Sequence, residues 1–343
     1  SDSDGSRPND GEEGGFEEWG INTMLQHTRE DGDVFVGGVD FKSFEGKDFV
    51  LSVPRKTEDI IAGFVQYRPK DWISDQTNLS FGARYDLPEN AEESVVWDAT
   101  IRHEATSRMT FRGKIGTSFR LPSLVELFND DEFFLGNPNL EPQDSIGGEL
   151  GVDGRFRWNE MPVTVRVTGF YREVDNLIQL DSTSQFENAD GEVEVEGVEA
   201  SLALQYDREW ELDLSGAYAS AEEDGVGEQL DDRPEFFAKA RLQYDDESGR
   251  WGSNLSANYT GSLFNTRAGR RKDIGEYTVF DLAGYFNVDP EKRHQLRFRW
   301  QNVLDEDFGT GLDSFEDNNT GNEVLVEDRG APSNVTIQYT YSF

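Results

Sequence analysis

The last ten residues of the chain, NVTIQYTYSF (334–343), alternate polar and apolar side chains without a break. Successive side chains of a β-strand point to opposite faces of the sheet, so this segment has two different faces. One face carries Val, Ile, Tyr and Phe, and the other carries only Asn, Thr, Gln and Ser. The pattern predicts a strand that separates an apolar environment from a polar one.

The same alternation recurs along most of the chain. It is clearest in 163–171, 198–206, 210–218, 236–244 and 295–301. We count about fifteen such strands, and they begin near residues 20, 34, 60, 77, 95, 109, 145, 163, 193, 210, 235, 252, 278, 295 and 334. No helical stretch is predicted between them. The sequence therefore predicts an all-β, antiparallel fold.

Composition excludes several classes of protein. The 343 residues include 69 acidic and 32 basic side chains, a net charge of −37, which would repel a nucleic acid. There is no cysteine, so disulfides, thiolate metal sites and cysteine nucleophiles are absent. No apolar run is long enough for a transmembrane helix. Aromatic residues make up 12%, which is too many for a disordered chain.

An alternating sheet can be buried as a soluble sandwich or as a barrel whose outer face contacts lipid. Many predicted strands reach ten residues or more, whereas strands of soluble proteins have about five or six. The polar face carries many charges, which need water or a polar partner. These charges are Arg112, Lys114, Arg166, Arg172, Lys239, Arg241, Arg297 and Arg299. Both features favour a transmembrane barrel; a sandwich with a solvated outer face is the alternative.

The predicted connections alternate in length. The long ones are 120–144, 177–193, 220–234, 261–276 and 305–332, with short turns between them. Outer-membrane barrels have short periplasmic turns and longer extracellular loops. We therefore expect the long loops outside the cell, residues 1–19 as the remnant of an extracellular loop, and residues 20–343 as the transmembrane barrel segment.

Two motifs in the loop after the sixth predicted strand carry a family resemblance. SFRLPS (118–123), followed by ELF (126–128), resembles the FRAP-type box of TonB-dependent outer-membrane receptors, and GNPNLEP (136–142) resembles their NPNL box. The matching positions are Phe119, Arg120, Pro122, Asn137, Pro138, Asn139 and Leu140. Further matches follow in the same order, at Asn188, Arg233-Pro234 and the terminal Tyr-Ser-Phe, and FVQY (64–67) and LSFGARYD (79–86) match upstream. The resemblance therefore covers roughly residues 35 to 343.

The resemblance implies a receptor for active transport in the outer membrane of a Gram-negative cell, with a plugged barrel of about 22 strands. One predicted strand begins about every 22 residues, so such a barrel would need roughly 490 residues. We therefore expect this chain to hold about 15 strands and no plug. The plug and the other strands would come from the rest of the receptor or from a second polypeptide. Further implied partners are membrane lipid, lipopolysaccharide, a small nutrient, and TonB–ExbB–ExbD through the plug.

The sequence gives less information on the ligand. His27, His103 and His294 fall at or near predicted periplasmic strand ends, and none lies between the two boxes, where haem receptors of this family place an axial histidine. The run RAGRRK (267–272) is basic in a chain whose loops are mostly acidic. We expect ligand contacts from loop residues Arg267, Arg270, Arg271, Lys272, Phe128, Phe133 and Phe134. The alternative is that the basic run pairs with acidic neighbours or with lipopolysaccharide phosphates.

The resulting functional prediction is uptake of a scarce nutrient chelate, an iron–siderophore first, with cobalamin or a glycan as alternatives. A passive porin, a structural barrel and a soluble binding module are the other classes. No enzyme is predicted, because the chain has no Gly-x-Ser-x-Gly elbow and its few histidines lie at the wrong end for a nucleophile–base pair. No cofactor and no metal site are predicted; Asp190-Gly191 lacks the ligand spacing of a calcium loop.

Overall fold

A computed structural model describes residues 15–48, 53–130, 135–181, 183–189, 191–224, 227–267, 269–316 and 323–343. These residues form the following strands and one helix: β1 (Gly15–Thr28), β2 (Val34–Asp48), β3 (Val53–Arg68), β4 (Thr77–Pro88), β5 (Ser94–Thr106), β6 (Met109–Arg120), α1 (Leu124–Phe128), β7 (Gln143–Trp158), β8 (Met161–Asp175), β9 (Ile178–Leu180), β10 (Phe186–Asn188), β11 (Val193–Gln205), β12 (Trp210–Glu223), β13 (Phe236–Asp245), β14 (Trp251–Thr260), β15 (Phe264–Arg267), β16 (Arg270–Asp273), β17 (Tyr277–Asn287), β18 (His294–Gln301), β19 (Gly309–Glu316), β20 (Glu323–Arg329) and β21 (Asn334–Tyr341).

Fifteen of these strands form one antiparallel sheet. Its order is β1-β2-β3-β4-β5-β6-β7-β8-β11-β12-β13-β14-β17-β18-β21, so β1 and β21 are its two edges and the barrel is not closed by the described residues. The all-β prediction and the strand count are confirmed. β1 starts at Gly15, so residues 15–19 are strand rather than loop, and residues 1–14 lie outside the described part.

The long loops contain structure that the sequence pattern did not predict. Three short hairpins, β9–β10, β15–β16 and β19–β20, lie in them. The expectation of no helix is wrong at α1, which has five residues. A single helical turn is too short to produce a 3.6-residue periodicity, and only its capping residues could have indicated it.

The pairing of β18 with β21 confirms the two predicted faces. The apolar face has the facing pairs Leu296–Tyr339, Phe298–Ile337 and Trp300–Val335, and the polar face has Arg297–Gln338 and Arg299–Thr336. The apolar face is exposed; Ile337 keeps 72% of its accessible surface. Such an extended apolar surface needs a non-aqueous neighbour.

Aromatic rings lie at those strand ends that are joined by the short turns. Tyr244 contacts Trp210 and Trp251, with ring centres 4.8 and 4.6 Å apart. Around another short turn, Phe35 stacks on Tyr67 at 4.6 Å. Outer-membrane barrels carry such aromatic girdles at the membrane–water interface. None of the helical residues that the structure describes forms a segment with the length and hydropathy of a membrane-crossing helix.

The chain divides into two compact units, which are treated separately below. The first contains the residues up to His103 together with 113–148 and 172–193. The second contains 104–112, 149–171 and 194–343. Both family-like boxes lie in the first unit, and the basic run lies in the second.

Candidate functional site

The first box folds into a capped turn of helix. The backbone amide of Glu126 donates to Ser123 Oγ at 3.2 Å, and the amide of Ser123 donates to Glu126 Oε2 at 2.6 Å. These two bonds form a capping box, which satisfies two amides at the start of the helix. Leu124 is 6% exposed, and a Cβ built on Gly46 of β2 would lie 2.6 Å from its Cδ1. The helix therefore packs closely against β2.

Arg120 holds this helix at the end of β6. Its two terminal nitrogens lie 2.9 and 3.0 Å from the two carboxylate oxygens of Glu126, a bidentate pair, and its Nε donates to Gln143. Burial alone would raise the pKa of Glu126, but the hydrogen bonds from Arg120 and Ser123 outweigh it and hold this pKa below its ordinary value. The guanidinium of Arg120 is thus committed to the loop scaffold.

The second box closes on the first through backbone bonds. The amide of Gly136 donates to Asn129 O at 2.8 Å, and the amide of Asn137 donates to Glu126 O at 2.8 Å. A Cβ on Gly136 would lie 2.6 Å from the backbone nitrogen of Asn129. Only glycine fits such a close approach of two backbones. We call the described residues of 119–142 the loop cradle.

Two asparagine side chains connect the loop cradle to the β9–β10 hairpin. Asn137 Nδ2 donates to Phe186 O at 3.0 Å. Asn188 accepts from the Glu141 amide at 2.9 Å and donates back to Glu141 O at 3.1 Å. The structure therefore brings together three family-like features that lie far apart in sequence, and all of them act as supports of the loop.

The aromatic residues expected to contact ligand are only partly described. The ring of Phe128 lies 4.5 Å from Lys56 Nζ, in a cation–π contact. Phe133 and Phe134 lie outside the described residues. Their role in ligand binding stays a prediction.

The basic run lies on the β15–β16 hairpin of the second unit, and its Arg271 and Lys272 pair with acidic groups. Arg271 lies 3.2 Å from Glu228 and 3.5 Å from Asp231, and its guanidinium is 4.8 Å from the Phe264 ring centre. Lys272 pairs with Glu327, and this hydrogen bond is the main reason that the pKa of Glu327 is lowered.

Arg267 and Arg270, the other two cations of the run, are exposed. Nη1 of Arg267 donates to Thr266 O at 3.0 Å. The structure thus places all four cations on one hairpin, and it realises the alternative of acidic pairing at Arg271 and Lys272.

One group of carboxylates in the described part of the chain is close enough to share a cation. One oxygen each from Glu173, Asp175 and Glu192 lie within 4.8 Å of one another in the first unit. At one oxygen from each residue, the group supplies three of the six to eight oxygens that Ca²⁺ takes. The sequence did not indicate this group, because Glu192, just before β11, is far in sequence from Glu173 and Asp175 of β8. Asp190, which the sequence did consider, lies outside the described residues.

The chain combines a 15-stranded antiparallel sheet, an exposed apolar face and the loop cradle. This combination is typical of the barrels of outer-membrane receptors. Residues 5–303 match the family described as "TonB dependent receptor-like, beta-barrel", and the chain belongs to this family.

Two curated relatives carry the name "Vitamin B12 transporter BtuB". The one from Photobacterium profundum is 27% identical over 251 residues, which are 71% of this chain and 38% of the relative. The one from Vibrio cholerae is 23% identical over 290 residues, 80% of this chain and 43% of the relative. The chain thus spans about two fifths of the length of the curated relatives it matches.

Solved structures share the fold. A ferric enterobactin receptor (PfeA) mutant from Pseudomonas aeruginosa, solved with enterobactin, has a TM-score of 0.76 at 15% identity, covering 96% of this chain and 54% of its own. The copper transporter OprC has a TM-score of 0.72 at 16% identity, covering 96% and 56%. At such low identity these likenesses show the fold alone.

Proposed function

We propose that the receptor containing this chain imports a scarce nutrient chelate across the outer membrane in a TonB-dependent manner. The supporting observation is the loop cradle: the two family-like boxes fold into one braced unit on a barrel of this family. The family is one of Gram-negative outer-membrane receptors and transporters, and not of enzymes.

The orientation we propose places the long loops outside the cell and the short turns in the periplasm. Support comes from the general rule for such barrels, whose periplasmic turns are short and whose extracellular loops are longer. With this orientation, the loop cradle and the basic hairpin face the medium from which a nutrient arrives. Lipid and lipopolysaccharide surround the apolar face.

We propose that the plug and the remaining strands come from the rest of the receptor or from a second polypeptide, and that the plug carries the contact to TonB–ExbB–ExbD. The polar face of the second unit supports such a partner only modestly, because several of its cations already have neighbours on the same sheet. Arg112 lies 3.1 Å and Arg166 lies 3.8 Å from Asp153. Arg241 lies 3.9 Å from Asp213.

For the cargo, the observations favour cobalamin over the iron–siderophore that the basic run suggests. The curated relatives quoted above are vitamin B12 transporters, and a net charge of −37 repels an anionic chelate while leaving a neutral one unaffected. Pairing of Arg271 and Lys272 with acidic groups also lowers the basic charge available to an anion. A ferric siderophore is the second candidate, supported by the exposed Arg267 and Arg270.

Equilibrium binding to the complete purified receptor tests the proposal. We expect saturable binding of cyanocobalamin and much weaker binding of a ferric catecholate siderophore, with little dependence on salt between 50 and about 200 mM. Saturable binding of the siderophore alone would make the second candidate the function. Binding of neither, combined with open-channel conductance in a planar bilayer, would instead support a passive channel.

A further inference from the structure

Two cations lie on neighbouring short turns of the second unit. The guanidinium of Arg250, just before β14, lies 5.2 Å from the centre of the Phe286 ring. The ammonium of Lys292, on the turn between β17 and β18, lies over Gly249, where a built Cβ would be 2.7 Å from Lys292 Nζ. Among the described residues no carboxylate forms an ion pair with either cation. In a chain of charge −37, two such cations without an acidic partner call for an explanation.

The two turns are fixed relative to each other by a buried side chain. Asn287 is 3% exposed; its Nδ2 donates to Gly249 O at 2.9 Å and its backbone amide donates to Arg250 O at 2.7 Å. Gln295 in turn donates to Asn287 Oδ1 at 3.0 Å. The backbone beneath both cations is therefore pre-organised, which lowers the entropic cost of binding a ligand.

Four acidic side chains lie on the same two turns. Three of them have polar partners: Asp246 bonds to Ser248, Asp289 to His294, and Glu291 to Arg293. Glu247 is the fourth acid on these turns. Hydrogen bonds leave a carboxylate charged, so only Asp289 and Glu291, which lie 3.5 and 3.9 Å from Arg293, have a cation to balance them. Asp246 and Glu247 keep their charge, and Arg250 and Lys292 are the two cations of these turns that no described acidic side chain pairs with.

An apolar groove of about 660 Å³ adjoins the two turns, and Trp251 and Phe286 line its turn-side end. Its other apolar lining residues are Leu296, Phe298 and Ile337, all on the apolar face of the sheet. Gly284 faces Phe298 across the β17–β18 pair and leaves the groove open because it has no side chain. The groove thus runs from a ring that carries a guanidinium into the surface that contacts lipid.

We propose that Arg250, Lys292 and this groove form a binding site for one glycerophospholipid, and we call it the lipid notch. The phosphate would bind between the guanidinium and the ammonium, since a guanidinium binds phosphate oxygens through two parallel hydrogen bonds. One acyl chain would lie along the groove, where each buried methylene adds to the binding free energy. The notch goes beyond the proposed uptake function and rests on it only for the leaflet, which would be the periplasmic one.

Native mass spectrometry of the complete, delipidated receptor, titrated with dipalmitoyl phosphatidylglycerol, tests this proposal. We expect one lipid molecule to bind more tightly than any further lipid molecules. The double variant R250Q/K292Q should lower the affinity for this first lipid by roughly fivefold for each charge removed. Arg157→Gln is the matched control: Arg157 lies at another short turn and pairs with Glu160 at 3.1 Å. This control variant should bind the first lipid with the same affinity as the parent.

Two further measurements distinguish the contribution of the lipid headgroup to binding from that of the acyl chain. Leu296→Trp keeps the lipid face apolar, so it should not prevent folding, and its larger side chain fills the groove. It should lower the affinity for the intact lipid. Glycerol 3-phosphate, which has no acyl chain, should bind far more weakly than the lipid. The lipid notch is refuted if R250Q/K292Q binds as tightly as the parent or if R157Q loses as much affinity. Nutrient affinity of the same variants, which we expect to be unchanged, shows separately whether the uptake function holds.

Discussion

The wall formed by β18 and β21 and the loop cradle are ordered by different means. In the wall, it matters only whether a side chain is apolar or polar: apolar side chains such as Phe298 and Ile337 share one face, and polar ones share the other. In the loop cradle, individual atoms hold the structure, as the bidentate pair of Arg120 and Glu126 shows. The wall should therefore tolerate many substitutions within a class, and the loop cradle should respond to the loss of a single bond or to one added methyl group.

The largest effect should come from a change of class in the wall. Phe298→Arg places a charge on the apolar face, beside the cross-strand neighbours Ile337 and Gly284. Such a charge costs about 2–4 kcal/mol near the middle of a membrane. We expect the complete receptor with Phe298→Arg to fail to assemble, as measured by its yield of heat-modifiable barrel in outer membranes. Arg299→Ala, on the polar face, is the matched control and should assemble normally. The reverse result would show that the two faces are assigned wrongly.

In the loop cradle, one methyl group should be enough to disturb the structure. Gly136→Ala puts a Cβ 2.6 Å from the backbone nitrogen of Asn129, and backbone atoms cannot move aside easily. We expect a local loss of about 1–3 kcal/mol, the usual cost of overpacking, seen as faster hydrogen exchange in 119–142. Gly63→Ala is the control, since no atom lies within 4 Å of a Cβ built there. Equal protection in both variants would show that the loop cradle is not tightly packed.

This contrast also explains how much could be predicted from the sequence. Periodicity spreads its signal over many residues, so the fifteen strands of the sheet and both faces were predictable. The family-like boxes located the loop cradle, although not the partners of Arg120. α1 was missed because it is a single capped turn. The carboxylates Glu173 and Glu192 were missed because they are far apart in sequence and come together only in the folded chain.

Acidification should loosen the loop cradle and leave the wall intact. The pKa of Glu126 in the folded chain lies below its ordinary value of 4.5, so its carboxylate stabilises the folded loop fully above pH 4.5. That contribution is lost as the pH falls further, through the lowered pKa. We expect a decrease of about 1 kcal/mol in the protection of 119–130, comparable to the loss of a helix cap. Glu126→Gln should remove most of this pH dependence; if it keeps the full dependence, another group is responsible.

The smallest effect should come from the basic hairpin, whose charges resemble a binding site in sequence and yet are partly neutralised in the structure. Arg271 pairs with Glu228 and Asp231 at an exposed site, and such pairs contribute about 0.2–1 kcal/mol. Arg271→Gln should therefore slightly speed hydrogen exchange of β15 and β16. It should change the affinity for cyanocobalamin by less than about twofold, because a neutral ligand gains little from a single screened charge.

Arg267→Gln gives the decisive comparison, because Arg267 is exposed and forms no ion pair with a described carboxylate. If the hairpin serves only to pair with its acidic neighbours, this variant should behave like the parent in every binding measurement. If it captures an anionic chelate, the variant should lose affinity for a ferric siderophore, and the loss should shrink as salt is raised from 50 to about 200 mM, since screening weakens exposed charges. We expect the first result. The second would show that the exposed Arg267 helps to attract an anion to a strongly acidic chain, and the siderophore would then replace cobalamin as the better candidate.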